Sequence, residues 1–283
     1  MKILSIQSSV AYGHVGNSAA VFPLQRLGVE VMPVYTVHFS NHTGYGAWRG
    51  PMLTGDQVRE VVTGIDERGG LDDVDLVLSG YQGGDDIGDA ILEAVAKVKE
   101  RNPEAIYACD PVMGNAKSGC FVKPEIPILL RERIVPRADL ITPNQFELGF
   151  LTGTEPQSIE ETLAAADRAR EMGPRTVLVT SVERPDRPDN TIEMMAVTDE
   201  GAWIVQTPHL PLKANGSGDV TAALFSAHMQ LTENPQEALS KTVSSVYELL
   251  QNTLHSGQRE LQLVQSQGAY VQPQHNFASY RLR

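Results

Sequence analysis

Asp219 opens an alanine-rich amphipathic run, directly after Gly218, in the stretch "NGSGDVTAALFSAH" that begins at Asn215. An aspartate at a helix entrance can be a cap, because its oxygens satisfy free N–H groups and its charge suits the positive end of the macrodipole. The glycines add a second reading. Gly216 and Gly218 flank Ser217 so that bare backbone N–H groups can approach a ligand closely, and a helix start of that kind suits an anion. An anion beside a carboxylate makes chemical sense when the acid is there to take a proton. Two further acids follow predicted strands, Asp110 in "CDPVMG" and Glu147 in "TPNQFEL". Together they form a set for phosphoryl transfer. That reaction needs the donor phosphate held, its charge spread over a metal and N–H groups, and the acceptor hydroxyl relieved of its proton as it attacks. Asp219 supplies the base, and Gly216, Ser217 and Gly218 the cradle. Asp110 and Glu147 hold Mg²⁺ directly or through water, since this hard ion takes one or two carboxylates and keeps several waters, which Asn144 can orient. Plainer readings stand beside these: Glu147 as a first-turn acid on a capped helix, and Asp110 as a turn initiator before proline.

These residues need elements to position them. Short apolar runs alternate with helix-length amphipathic segments, which reads as a βαβ series with a mainly parallel sheet. Strands are expected near 2–7, 30–37, 74–79, 105–109, 138–141 and 175–180, with helices near 16–27, 55–68, 85–101, 124–134, 144–152 and 158–172. "EMMAVTDEGAWIV" (193–205) predicts a hairpin around Asp199, Glu200 and Gly201, hence an antiparallel edge, and two helices follow near 218–231 and 235–256. Gly-rich or polar turns sit after several strands, at "QSSVAYGHVGN", "SGYQGGDD", "CDPVMGN" and "TPNQFE". In an open α/β sheet ligands bind at those carboxyl ends. The long segment "TVHFSNHTGYGAWRG" reads as a lid or pocket wall, or else as an Ω-loop packed by its own aromatics. The polar tail from Gly257 to Arg283, with "RELQLV" as its only strand-like or helical piece, is expected to pack on the surface and says nothing of function.

Bulk properties narrow the class. A chain of 283 residues, 41% hydrophobic, suits one large domain or two small ones, and one α/β domain over residues 1–283 is the first choice. With 23 basic against 35 acidic residues and a formal charge of −12, no basic stripe is left to neutralise a phosphate backbone. That argues against nucleic acid and anionic membrane surfaces, while a small anionic substrate stays open because local N–H groups and a metal can outvote the global field. The opening "MKILSIQSSVAYG" carries too short an apolar run for a signal segment, and no later run approaches a membrane span. Cys109 and Cys120 make neither a disulfide framework nor a zinc spacing, so the expected compartment is the reducing cytoplasm.

Taken together, "QSSVAYGHVGNSAA", "FSNHTGYG", "LSGYQG", "CDPVMG", "TPNQFEL" and "NGSGDVTAALF" resemble a pyridoxal kinase of the ribokinase-like superfamily, in order from Gln7 to Phe225. The resemblance implies transfer of the ATP γ-phosphate to the 5′-hydroxymethyl group of pyridoxal in vitamin B6 salvage. It also implies a central, mostly parallel sheet flanked by helices on both faces, and a homodimer. Residue by residue, it gives Ser8 as the hydroxyl that hydrogen-bonds the pyridine ring, Thr43 and Gly44 as the loop closing over it, and Tyr81 as pocket lining. Asp219 matches the catalytic aspartate. Asp110, Thr142 and Glu147 match positions around the ATP phosphates and Mg²⁺, and Thr207, Pro208, His209 and Leu210 match the segment beside the nucleotide. Related kinases can carry a lysine after the sixth strand, where "VLVTSV" has Thr180. By spacing alone Ser8 is a turn residue and Tyr81 a core residue.

Other positions stay open. Lys213 either reaches a phosphate or is solvated, His42 either contacts substrate or bonds within its loop, and Cys120 either adds to an aldehyde or is packed. The rival functions are a hydroxymethylpyrimidine kinase, whose substrate is also a small ring bearing a hydroxymethyl group, and a non-catalytic vitamin B6 binder. A sugar kinase is disfavoured because no strand-rich lid insertion follows the first helix.

Overall fold

The computed structural model describes residues 1–283. β1 (Lys2–Tyr12) leads into α1 (Asn17–Arg26), β2 (Glu30–Asn41) into α2 (Gly55–Asp66), and β3 (Leu76–Ser79) into α3 (Asp85–Arg101). β4 (Ile106–Cys109) is followed by a small hairpin of β5 (Gly114–Asn115) and β6 (Gly119–Cys120), then by α4 (Glu125–Leu129). Next come β7 (Leu140–Ile141), α5 (Gln145–Thr152), α6 (Ile159–Glu171) and β8 (Thr176–Val182). The chain ends with β9 (Thr191–Thr198), β10 (Gly201–Pro208), α7 (Ser217–Thr232), α8 (Pro235–Ser256), α9 (Gln267–Val271) and β11 (Tyr280–Arg281).

One nine-stranded sheet runs β11-β10-β9-β8-β7-β4-β3-β1-β2. The strands from β2 to β8 in that order are parallel, and β9, β10 and β11 form the antiparallel edge. Alternation along each strand sorts side chains to opposite faces. Leu4, Ile6, Val77 and Val177 pack with Val58 of α2, Ile87 of α3, Leu148 of α5 and Ala165 of α6. Ile3, Leu76, Leu78 and Leu178 face the other way, toward Leu24 of α1, Phe225 of α7 and Leu239 of α8. Helices therefore cover both faces, as a parallel sheet with apolar residues on each side requires. Capping boxes Thr54/Gln57 and Asn144/Glu147 start α2 and α5, and left-handed Gly153 and Gly257 end α5 and α8.

Three expectations change. β1 and β2 do not stop near residues 7 and 37 but run on to Tyr12 and Asn41, because they keep pairing with each other beyond the end of β3, through Ser9↔His38 and Tyr12↔Asn41. "QSSVAY" is therefore strand, and Ser8 sits inside it, at a register shift where β2 carries an extra residue. The helix expected over 124–134 is short: α4 passes into a π turn over Leu130–Ile134 and a 3-10 turn over Val135–Arg137, which Pro136 closes. "RELQLV" forms neither strand nor helix. It is an irregular segment pinned by buried Leu261 and Leu263, and the tail after it supplies α9 and the edge strand β11.

Asn17 locks the first βαβ unit. Its buried Nδ2 donates to the carbonyls of Ser5 (3.1 Å), Gln7 (3.3 Å) and Val34 (3.0 Å), tying α1 to both β1 and β2. Replacing Asn17 with Ala leaves buried carbonyls short of a donor and should lower the unfolding free energy by roughly 2 kcal/mol. Urea denaturation checks this as a lower midpoint at unchanged slope.

Candidate active site

The parallel strands end at one edge, and backbone hydrogen bonds continue past their ends to fix the residues beyond. Asp110 N–H donates to the Ser79 carbonyl (2.8 Å), Thr142 N–H to Cys109 (3.1 Å), and Thr180 N–H to Pro143 (2.9 Å). Asp110, Thr142 and Thr180 are thus held in neighbouring rows of a single frame. The start of α7 meets that frame: a Cβ built on Gly218 would lie 4.0 Å from Asp110 Oδ2.

Glu147 is buried, and the backbone engages both of its oxygens. Oε1 accepts from the N–H groups of Met113 (2.8 Å) and Gly114 (3.3 Å), and Oε2 from that of Asn144 (2.9 Å). It therefore caps α5 and holds the "CDPVMG" turn at once. Asn144 accepts from Glu147 N–H (2.9 Å) and donates to the Gly114 carbonyl (2.8 Å), which ties α5 to the same turn. Burial raises the Glu147 pKa, and these N–H groups oppose the rise. Asp110 is raised well above the ordinary carboxylate range, first by burial and then by the negative charges of Glu147 and Asp219. The Thr142 hydroxyl beside it opposes that shift but falls outside hydrogen-bond geometry, and remains a buried oxygen without a partner. No lysine or arginine is among the groups that shift Asp110. Nor do three or more His, Cys, Asp or Glu side chains close around a point as ready metal ligands.

Asp219 lies inside the first turn of α7, so it is not the N-cap. Gly216 holds that position at φ 88°, and no side chain caps the helix. The first N–H groups of α7 are therefore left for a ligand. Burial pushes the Asp219 carboxyl up to about 6, with the nearby Gly16 amide opposing the shift. The glycines divide their tasks. A Cβ on Gly216 would lie 1.9 Å from the His14 carbonyl oxygen, so this glycine serves close backbone packing as well as the left-handed turn, whereas Gly218 faces Asp110. Ser217 Oγ donates to the Ala214 carbonyl (3.2 Å), which steadies the turn.

Val10, Val15, Val37 and Phe39 form a small buried apolar cluster, against which half-buried Tyr81 packs. Thr36 Oγ1 fixes the Tyr81 carbonyl at 3.1 Å. Ser8 lies buried in β1, where Gly16 must be glycine because a Cβ there would come within 2.2 Å of the Ser8 carbonyl oxygen. Thr43 and Gly44 belong to a 3-10 turn, Thr43–Tyr45, and a Cβ on Gly44 would lie 3.9 Å from Asn215 Nδ2. The loop thus reaches the segment that opens α7. His42 accepts from Gly44 N–H through Nδ1 (3.1 Å) and is shifted toward its neutral form by burial, which makes it a loop cap. On the other side, Thr207 is buried at the end of β10, Pro208 and His209 are exposed, and Leu210 is half-buried. His209 N–H donates to the Asn190 carbonyl (2.7 Å). Because β9 is antiparallel, this segment returns to the same edge as Thr180. Cys109 is buried and Cys120 exposed.

Sequence reasoning missed Arg259 and Glu260, which come from the tail to contact the 43–45 turn and the His14 backbone. No spacing or composition marks them, since both sit in a polar stretch without periodicity.

The chain is similar to known proteins along its length. The phosphomethylpyrimidine kinase family matches residues 87–263. A pyridoxal kinase of Leifsonia xyli is 71% identical over 282 residues, covering 100% of both chains. One from Corynebacterium diphtheriae is 58% identical over 98% of each chain. The solved pyridoxal kinase of Leishmania donovani, in complex with ADP and pyridoxamine, superposes with a TM-score of 0.93 at 28% identity, covering 100% of this chain and 99% of that one. With its ribokinase-like sheet, uncapped glycine turn and full-length likeness, the chain belongs to the pyridoxal kinase family.

Proposed function

We propose that the protein transfers the γ-phosphoryl group of ATP to the 5′-hydroxymethyl group of pyridoxal, giving pyridoxal 5′-phosphate in vitamin B6 salvage. The observation that carries this reading is the place of Asp219. Its carboxyl, raised to about 6, stands at the uncapped start of α7, within electrostatic reach of Asp110. Near neutral pH it is mostly ionised yet close enough to the working pH to take a proton efficiently. Asp219 accepts the hydroxymethyl proton while the free N–H groups of the Gly216–Gly218 turn stabilise charge on the transferring phosphoryl. Ser8 and Tyr81 place the ring, and Thr43 and Gly44 cover it. Thr180 and the segment from Thr207 to Leu210 take the nucleotide, with Thr142 near its phosphates.

Mg²⁺ fits this donor set. Asp110 presents a buried carboxyl that lacks a cationic partner and would hold the ion, while Glu147, with both oxygens already engaged, would do so through water. The ion, when bound, neutralises charge on the ATP phosphates. Residues 1–283 are read as one kinase domain, acting as a homodimer in the cytoplasm. No helix is long and apolar enough to cross a membrane.

A hydroxymethylpyrimidine kinase is the second reading, favoured by the family match over 87–263. That match leaves out Ser8, Val37, Phe39, Thr43, Gly44 and Tyr81, the proposed ring-binding part, whereas the pyridoxal kinase relatives align along the full chain. Incubation with ATP and each of pyridoxal, pyridoxine, pyridoxamine and hydroxymethylpyrimidine, with products read by mass spectrometry, separates the two readings. Pyridoxal binding without phosphorylated product would instead indicate a non-catalytic binder.

Two further outcomes are expected. Asp219→Ala should lower kcat by about 10²–10⁴-fold with a smaller change in the KM for ATP, and the wild-type profile of kcat/KM should fall on the acid side near pH 6. Near-normal turnover of the variant would remove Asp219 as the base. The second outcome concerns stability. Because Asp110 is raised in the folded state, its contribution is fully present below the unfolded-chain value and is lost as pH rises through the folded one. Asp110→Asn should therefore gain on the wild type as pH rises from 5 to 8 in metal-free buffer. Urea melts at the two pH values test this, and a pH-independent difference would count against it.

A further inference from the structure

The turn over the ring pocket has little of its own to hold it. All three residues of Thr43–Tyr45 are at least partly exposed, and a segment without buried apolar contacts opens at low free-energy cost. Local restraints are the His42 cap and Asn41 Nδ2, which donates to the carbonyls of His42 (3.1 Å) and Ala47 (2.8 Å). The turn also closes on itself through Tyr45 N–H to the His42 carbonyl (3.1 Å) and Gly46 N–H to that of Thr43 (2.9 Å), and the Tyr12 ring meets Tyr45 edge-on at 6.0 Å; further restraints come from the far end of the chain. Arg259 donates to the Gly44 carbonyl (3.0 Å), and its guanidinium lies 3.6 Å from the centre of the Tyr45 ring. The Tyr45 hydroxyl donates to Glu260 Oε1 at 2.5 Å. Glu260 Oε2 accepts the His14 N–H (3.2 Å), and it is the His14 carbonyl that packs on Gly216.

We infer that Arg259 and Glu260 are positioning residues that latch the Thr43–Tyr45 turn over the vitamin, with Glu260 joining that turn to the backbone bracing the glycine turn of α7. This rests on the pyridoxal kinase reading of the site. The latch has a firm base. Leu261 and Leu263 are buried with Val220 and Leu224 of α7, and Gln262 N–H donates to Thr253 Oγ1 (3.1 Å). The two oxygens of one carboxylate serve two segments, so a closed turn and a braced His14 favour the same Glu260 position. The carboxylate pushes the Tyr45 phenol up to about 12, so it stays a donor through the working pH range. Neither residue touches reacting atoms. Their effect falls on the vitamin side, because the nucleotide segment around Thr180 and Thr207 lies elsewhere along the edge.

Tyr45→Phe removes the hydroxyl bond and keeps a ring under Arg259, Glu260→Ala removes both carboxylate bonds, and Glu260→Gln keeps an acceptor. The first two should raise the KM for pyridoxal roughly tenfold while the KM for ATP stays within about twofold. The double variant Tyr45→Phe/Glu260→Ala should be no worse than Glu260→Ala alone, and Glu260→Gln should recover most of the loss. In ligand-free protein, hydrogen exchange at the Gly44 and Tyr45 amides should quicken in Glu260→Ala. Unchanged exchange there, or both KM values rising together with lost thermal stability, overturns the latch. A wild-type protein that leaves pyridoxal unphosphorylated overturns the kinase reading instead, and the exchange measurement still decides the latch.

Discussion

Burying a carboxylate without a positive partner is unfavourable, and at the carboxyl edge of this sheet Asp110 meets the charges of both Glu147 and Asp219. The fold is able to neutralise a buried acid. Glu193, 2% exposed, receives two N–H groups from Arg184 at 2.9 Å each. At the site it does otherwise, engaging Glu147 with three backbone N–H groups and leaving Asp110 with only the misaligned Thr142 hydroxyl. Perturbed acids with no structural pairing mark places where a ligand supplies the missing charge. Mg²⁺ with ATP phosphates fits that need, whereas a lysine fixed by the fold would hold the charge there permanently.

Preorganisation of the phosphate cradle is the second consequence. A helix start stabilises developing charge only if its N–H groups are held before the reaction, since reorientation during transfer would consume the benefit. Here the turn is braced from behind: the His14 carbonyl packs on Gly216 closely enough to exclude a side chain, and Gly16 stands on the Ser8 carbonyl in the same way. The loop after β1 and the turn before α7 thus fix each other, which joins Ser8 to the start of α7 through close backbone packing.

The sequence revealed most where local forces decide. Alternation and amphipathic spacing place the parallel strands, the hairpin at Asp199–Gly201 and the long helices within a few residues, and ordered motifs mark Asp110, Glu147 and Asp219. It revealed least where partners are distant. Strand pairing beyond β3 carries β1 through Ser8 to Tyr12, although the polar residues there resemble a turn. Glu260 reaches His14 across 246 positions and Tyr45 across 215, and no short-range period encodes such a contact. The apolar anchors Leu261 and Leu263 are too few and too close to the polar pair to read as an element.

The buried acids and the apolar cluster come from different stretches of chain. The carboxylates and the glycine turn fall within the region shared with phosphomethylpyrimidine kinases, residues 87–263, while the apolar cluster of Val10, Val15, Val37, Phe39 and Tyr81 precedes it. β2 is the last strand of the sheet, so its outer edge has no strand neighbour. Residues 49–53 cover it: His38 N–H donates to the Pro51 carbonyl (2.9 Å), Ser40 N–H to Arg49 (2.7 Å), and Leu53 N–H to Thr36 (3.0 Å). Glu260 is where the two stretches meet, because its segment lies within the shared region and its bonds end on His14 and Tyr45, outside it.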